Sequence, residues 1–394
     1  MSYPLSPALA HTTKMPFRID VEKAEGVFIF DKNGKKYLDF ISGISVSNIG
    51  HRHPHVVKAI KDQLDHYMHT MVYGEFHQDP QINLAEKLND ILPKGLDVSY
   101  FVNSGTEANE AALKLAKRYT GRHKLISFVG AYHGNTHGSM SVSFNELKKA
   151  PFRPLLPGVE FIRFNDKNEL QKINEEIAGV IVEPVQGDAG VRIPDQDYLQ
   201  ALKKRCEEVG ALLIFDEIQT GFGRTGKLFA FEHYNVVPDI LTIAKGFGGG
   251  MPIGAFISSH MIMDVLTEHP ALGHITTFGG HPVNCASALA NIEVLEGDNW
   301  SIIKDAERKG AMIEKLLIHP EVIEIRRKGL FFAIQMKNAE TVAKVVNGCK
   351  EKGLLSYWFL SNPDSFRIAP PLTVSNEEIN EGCQIIRSVF DNLV

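Results

Sequence analysis

The sequence predicts an α/β protein with a large unit, whose mostly parallel sheet is sandwiched by helices, and a smaller α/β unit. Three observations carry that prediction. The length of 394 residues exceeds one ordinary domain and suits two. Between residues 99 and 245, short apolar runs alternate with stretches of helical period, the pattern of strand–helix–strand repeats. From about Ala290 onward the pattern changes to a charged helix, paired strands and two more helices.

Each element has a local reason. GVFIF and KKYLDF flank the turn Asp31-Lys32-Asn33-Gly34, so residues 26–40 read as a hairpin. Val56, Val57, Ile60 and Leu64 share one helical face from Pro54 to Asp65. Strands are expected at 99–103, 124–130, 159–164, 179–185, 211–217 and 240–245, with helices at 107–119 and 197–209. The smaller unit is expected to hold a helix at 301–318, strands VIEIRRKG and LFFAIQM, a helix at 340–352 and a terminal helix opening on Ser375-Asn376-Glu377-Glu378, a capping-box pattern. The N-terminal segment is expected to join this unit. The large unit then spans 45–290, and the small one combines 1–44 with 291–394.

Composition narrows the function. A net charge of −5 and the absence of any basic run argue against nucleic-acid binding. Hydrophobic content of 44% is ordinary for a globular protein, and no run approaches the ~20 apolar residues of a membrane span. Four scattered cysteines (Cys206, Cys285, Cys349 and Cys383) form no C-x-x-C pair and fit reduced thiols. The proline-dotted N-terminus has no signal-like apolar core, so a cytoplasmic protein is expected.

Three stretches carry chemistry, each after an expected strand. SGTEANE (104–110) opens a helix, and a helix N-terminus presents free amides and partial positive charge to a phosphate. Gly105 permits close backbone approach, although capping alone also explains Ser104 and Thr106. ALLIFDEIQT (211–220) ends a buried strand in Asp216, which can keep a ring nitrogen protonated; a structural ion pair explains it equally well in isolation. PDILTIAK runs an apolar strand into Lys245 and then into GFGGG. Desolvation lowers an amine's pKa and yields the neutral nucleophile that a Schiff base requires, though an isolated lysine there more often forms a salt bridge. The conjunction decides. A phosphate cradle, a ring-nitrogen carboxylate and a strand-end lysine are together what pyridoxal 5'-phosphate demands, and Tyr132 in YHG adds an aromatic ring.

Two motifs point elsewhere and fail. GFGRTG (221–226) matches G-x-G-x-x-G, and with Lys227 most of a P-loop, but Leu228 stands where the magnesium-binding hydroxyl belongs and no long helix follows. HRHPH (51–55) lacks carboxylate or cysteine partners at metal-ligand spacing, so no metal is expected.

At these residues the chain resembles the class III, fold-type I aminotransferases, close to their acetylornithine/ornithine branch. The resemblance runs from about Gly26 to the C-terminus through GISVSNIGHRHP, SGTEANEAALKLA, AYHGNT, EPVQGDAG, DEIQTGFGRTG, AKGFGGGMPIGA, TTFGGHP and FRIAPPL. It implies that Lys245 carries pyridoxal phosphate and shuttles the proton, and that Asp216 holds the pyridinium N–H. Gln219 would contact the ring hydroxyl, Ile218 and Tyr132 would cover the two ring faces, and Gly105 and Thr106 would hold the phosphate. Thr277 would reach that phosphate from a neighbouring subunit, with Thr276 beside the substrate, which implies a homodimer with shared active sites. Arg367 would clamp a substrate carboxylate. The expected reaction moves an ω-amino group from an acetylornithine-like or ornithine-like donor to 2-oxoglutarate. Rivals are another donor such as 4-aminobutyrate, a decarboxylase or aminomutase on the same fold, and a catalytically silent relative.

Three positions depart from the family's pattern. Asn135 stands where many members have a second carboxylate-binding arginine. Asp188 replaces a glutamate that pairs with and releases the substrate arginine. His281 replaces an asparagine. The first weakens acetylornithine as donor; none touches the fold or the cofactor.

Overall fold

The structure is a computed structural model that describes residues 8–14, 16–72 and 74–393. Residues 1–7 and 15, which belong to the expected 1–44 segment, lie outside the described residues, as does Val394. At its centre is a seven-stranded sheet in the spatial order Val98–Val102, Gly254–Ser258, Ile240–Ile243, Leu212–Asp216, Ile177–Val182, Lys124–Phe128, Val159–Ile162. All run parallel except Gly254–Ser258, which pairs antiparallel with both of its neighbours.

That strand is absent from the sequence reading, which took the glycines before it only as room for a ring. Its five residues are buried on both faces, so no polar–apolar alternation marks it. A side chain at Gly254 would land on the Ser104 backbone, so glycine there lets two backbones meet at the sheet's rim.

The helix Gly105–Thr120 packs on this sheet through Ala108, Ala111, Ala112, Leu115 and Ala116. Small side chains allow a close approach: a Cβ on Gly179 of the facing strand would sit 3.0 Å from Ala116 Cβ. The helix starts on Ser104, whose hydroxyl accepts from the Glu107 amide at 3.3 Å, and ends on left-handed Gly121.

Two smaller sheets complete the fold. Glu324–Lys328, Phe331–Gln335, Ser365–Ile368 and Tyr357–Trp358 form one of them, all antiparallel. In the other, Leu354–Leu355 pairs parallel with Lys36–Asp39, so N-terminal strands and C-terminal chain share a sheet. The terminal helix Asn376–Phe390 has its capping box: the Ser375 amide donates to Glu378 Oε2 at 2.7 Å and the Glu378 amide to Ser375 Oγ at 3.1 Å.

The helix expected over 301–318 is instead two pieces. Pro282–Lys304 is broken at Gly297–Trp300, and Ala306–Leu316 follows. Asp298 and Asn299 take φ near +50°, a conformation those residues tolerate better than most. The change of pattern read near Ala290 therefore falls inside a helix, and one apolar cluster runs from Phe215 and Phe247 through Cys285 to Phe332 and Phe390.

The motifs set aside in the sequence are structural. Arg224 of GFGRTG is fully buried and donates to the carbonyls of Leu330 and Pro370 and to Asn48 Oδ1. In HRHPH, His51 Nε2 meets Asp39 Oδ2 at 2.8 Å and His55 Nε2 meets Glu293 Oε2 at 2.6 Å. Among the described residues no His/Cys/Asp/Glu group could hold a metal, and no helix is long and apolar enough to cross a membrane. All four cysteines are buried and unpaired.

Candidate active site

Parallel strands deliver their C-terminal residues to one rim, where ligands of such sheets bind. Here the rim encloses a cavity of about 500 Å³ lined by Gly105, Thr106, Tyr132, Asn135, Glu183, Asp216, Ile218, Gln219 and Lys245, among others. The strand ending at Val102 leads to Ser104 and Gly105, that ending at Val182 to Glu183, and that ending at Ile243 to Lys245.

Asp216 is buried and both of its oxygens accept hydrogen bonds. Oδ1 accepts from the Ile218 amide at 3.0 Å. Oδ2 accepts from Asn109 Nδ2 at 2.8 Å and from His133 Nδ1 at 2.7 Å, the latter nitrogen carrying the proton because it faces a carboxylate. Asn109 is in turn oriented by Thr242, whose hydroxyl donates to its Oδ1 at 2.7 Å. These bonds fix the carboxylate's direction toward the cavity before any ligand arrives.

Lys245 follows its strand in a left-handed turn, φ +48°, strained for a side-chain-bearing residue. The strain is held by neighbours. Asn291 Nδ2 donates to the Gly246 carbonyl at 2.8 Å and Ser287 Oγ to that of Gly248 at 2.8 Å, while a Cβ on Gly246 would collide with the Asn48 amide. Loss of water lowers the Lys245 amine below its ordinary value, helped by the Arg367 charge and opposed by Asp216.

Also on the cavity lining, Gly105 and Thr106 occupy the first two helix positions, whose amides find no carbonyl within the helix. A Cβ on Gly105 would sit 2.8 Å from Ile218 Cδ1, so glycine seats the two loops together. Thr106 Oγ1 lies 2.8 Å from Thr136 Oγ1. Gln219 Nε2 is buried with no hydrogen-bond partner among the described residues, an expensive vacancy unless a ligand supplies an acceptor.

Arg367 and Asp188 stand behind this lining, both buried, with Nη2 2.9 Å from Oδ1. The pairing that sequence left open is thus present. Thr276 Oγ1 accepts from Asn103 Nδ2 at 3.1 Å at the cavity's edge, and Thr277 next to it is exposed.

Three residues escaped the sequence reading although signals existed. Asn109 is an amide in a run of buried alanines. His133 sits in the YHG motif that had been read only for Tyr132. Glu183 directly follows an all-apolar strand, much as Asp216 ends one, and accepts from the amides of Gly187 at 2.8 Å and Tyr132 at 3.2 Å. Burial pushes the Glu183 carboxyl from 4.5 up to about 7, moderated by His133.

The folded chain therefore keeps a proton on Glu183 that the unfolded chain has released. Stability from this group is full below about pH 4.5 and lost as pH rises through about 7. Glu183→Gln is expected to flatten the fall in denaturation midpoint between about pH 5 and about pH 7.5; an unchanged slope would contradict this.

The comparisons agree with the geometry. The family model described as Aminotransferase class-III matches residues 9–390. The chain belongs to the class III aminotransferases. It is 40% identical over 375 residues to an acetylornithine aminotransferase of Archaeoglobus fulgidus, covering 94% of this chain and 95% of that one. It is 40% identical to a putrescine aminotransferase of Pectobacterium atrosepticum, covering 89% and 77%. The solved ornithine aminotransferase of Toxoplasma gondii, described with partial PLP occupancy at its active site, superposes with a TM-score of 0.89 at 32% identity, covering 97% and 91%. This aminotransferase has the fold-type I architecture and uses pyridoxal phosphate, moving an amino group between an amino donor and an oxo acid. The residues present fit that cofactor: one cavity gathers a helix N-terminus, an oriented carboxylate, a desolvated amine and an unpaired amide donor.

Proposed function

We propose that this aminotransferase takes a terminal, ω-positioned amino group from a donor of the acetylornithine or ornithine kind and delivers it to 2-oxoglutarate. The observation that carries the reading is the convergence of Lys245, the held Asp216 and the unpaired Gln219 amide on one cavity. Pyridoxal phosphate, when bound, supplies an electron sink and carries the amino group between the two half-reactions.

The chain's own groups do the rest. Lys245 Nζ would take the proton from the carbon that bears the amine and deliver it to the carbon on the other side of that nitrogen, a 1,3 transfer. Asp216, aimed by Asn109 and His133, would hold a proton on the ring nitrogen. Gln219 donates to the ring hydroxyl, Tyr132 and Ile218 confine the ring, and the amides of Gly105 and Thr106 bind the phosphate. Arg367 meets a substrate carboxylate, with Asp188, Asn135 and Thr276 shaping that end.

Thr277 completes the phosphate site of a second copy in a homodimer with shared sites. Support comes from the exposed apolar residues around it: Leu272, Ile275 and Phe278 are 58%, 50% and 54% exposed. The pairing of Leu354–Leu355 with Lys36–Asp39 supports a small unit made of 1–44 and 291–394 around a large unit at 45–290. The four free thiols support a cytoplasmic setting.

A second reading, a diamine donor without carboxylate, is favoured by Asn135, a neutral residue on the cavity lining. Presenting N-acetylornithine, ornithine, putrescine, 4-aminobutyrate and alanine in turn to the holoenzyme separates the readings. Terminal amines are expected to convert the bound cofactor to its amine form, and added 2-oxoglutarate to be aminated in equal amount. Conversion by alanine alone, or product without amination of the oxo acid, would contradict the proposal.

A further inference from the structure

The Arg367–Asp188 pair has an unusual second attachment. Arg367 lies on Ser365–Ile368, its guanidinium 4.2 Å above the Phe359 ring centre. Asp188 lies in a loop packed against the turn that follows Phe359. Its Oδ1 accepts from the Leu360 amide at 3.0 Å as well as from Arg367, and its Oδ2 accepts from the Ser361 hydroxyl at 2.7 Å. Asn145 Nδ2 donates to Ser361 Oγ at 3.3 Å, so the hydroxyl proton is left to point at Asp188. Asn362 Nδ2 donates to the Ala189 carbonyl at 3.2 Å, a further bond between the same two segments, and Arg326 Nε donates to that of Gly190 at 2.7 Å, tying the Asp188 loop to the strand Glu324–Lys328.

An aspartate held this way cannot swing from Arg367 without losing an amide and a hydroxyl donor inside the protein, and a buried carboxylate stripped of donors is costly. A carboxylate arriving at Arg367 meets a guanidinium already paired with Asp188. Asn135, on the cavity lining, adds no positive charge.

We propose that Ser361 is a specificity-determining residue. By fixing Asp188 it keeps Arg367 occupied, so the site favours amines whose reacting end carries no carboxylate. A ligand that places a carboxylate there must first break the Ser361–Asp188 bond. The inference rests on the cavity being the site of terminal-amine transfer, and it makes the oxo acid the more weakly held of the two substrates.

Glutarate, a dicarboxylate that cannot react, is the probe, titrated into the holoenzyme by calorimetry. Ser361→Ala is expected to bind it about tenfold more tightly than the wild type, the factor that loss of one charge-assisted hydrogen bond represents. Ser361→Thr, which keeps the hydroxyl, is expected to match the wild type. Cofactor conversion by N-acetylornithine is expected to stay within about twofold in both variants, because neither touches the cavity lining. Equal glutarate affinity in Ser361→Ala and wild type, or the same gain in Ser361→Thr, would overturn the proposal. Failure of every terminal amine to convert the wild-type cofactor would instead overturn the transfer reading, which glutarate affinity does not report.

Discussion

Replacing Lys245 with alanine is expected to reduce turnover at least about ten-thousand-fold, the upper range for removing a positioned proton-transfer group. The residue is asked to do two things, and no neighbour can inherit either. Its amine must be uncharged to attack an aldehyde, a state favoured because burial lowers its pKa and the Arg367 charge adds to the effect. It must then move a proton between two carbons from a place fixed by the strained turn at φ +48°. Among the residues lining the cavity it is the sole lysine, and His133 is committed through Nδ1 to Asp216. The variant should fold, because alanine removes a half-buried side chain and leaves the Asn291 and Ser287 bonds to the glycine loop untouched. Steady-state kinetics measures the loss, and sedimentation velocity should show wild type and variant sedimenting alike. Multiple turnovers in the variant would contradict the assignment.

Asp216→Asn is expected to lower turnover by about a thousandfold, the order attributed to a preorganised charge in a water-poor site. The amide cannot keep a ring nitrogen protonated, so the electron sink weakens. A second effect follows from the hydrogen bonds. Oδ1 accepts from the Ile218 amide and Oδ2 from Asn109 and His133, while a side-chain amide presents one oxygen and one NH₂ group in their place. At least one donor is left facing a donor, costing about 1–3 kcal/mol of stability for the buried unpaired group. Cofactor retention through gel filtration and thermal midpoint should therefore fall together with turnover. An unchanged midpoint would mean that the network around Asp216 is looser than these distances indicate.

Much of this was legible in the chain because chemistry and fold share one grammar. A run such as ILTIAK has to be buried to be a strand, and a lysine at its end has to be paired or reactive. The same logic found Asp216, and it applies equally to Glu183 at the end of GVIVE. Gly254–Ser258 was missed because a strand buried on both faces has no period to read. The helix that runs from Pro282 to the break at Gly297–Trp300 was missed because it is buried around much of its circumference, which leaves no amphipathic period to read. Asn109 and His133 depend on which elements meet, a tertiary fact that spacing does not carry. The Ser361–Asp188 bond joins residues 173 apart in sequence and was beyond sequence reading altogether.

The most direct measurement is to treat the holoenzyme with borohydride, digest it and map the peptide that retains the pyridoxyl mass. The expected result is a single modified peptide, with the added mass on Lys245. Modification at another lysine, or none after loading with pyridoxal phosphate, would contradict the assignment of that amine as the cofactor's anchor.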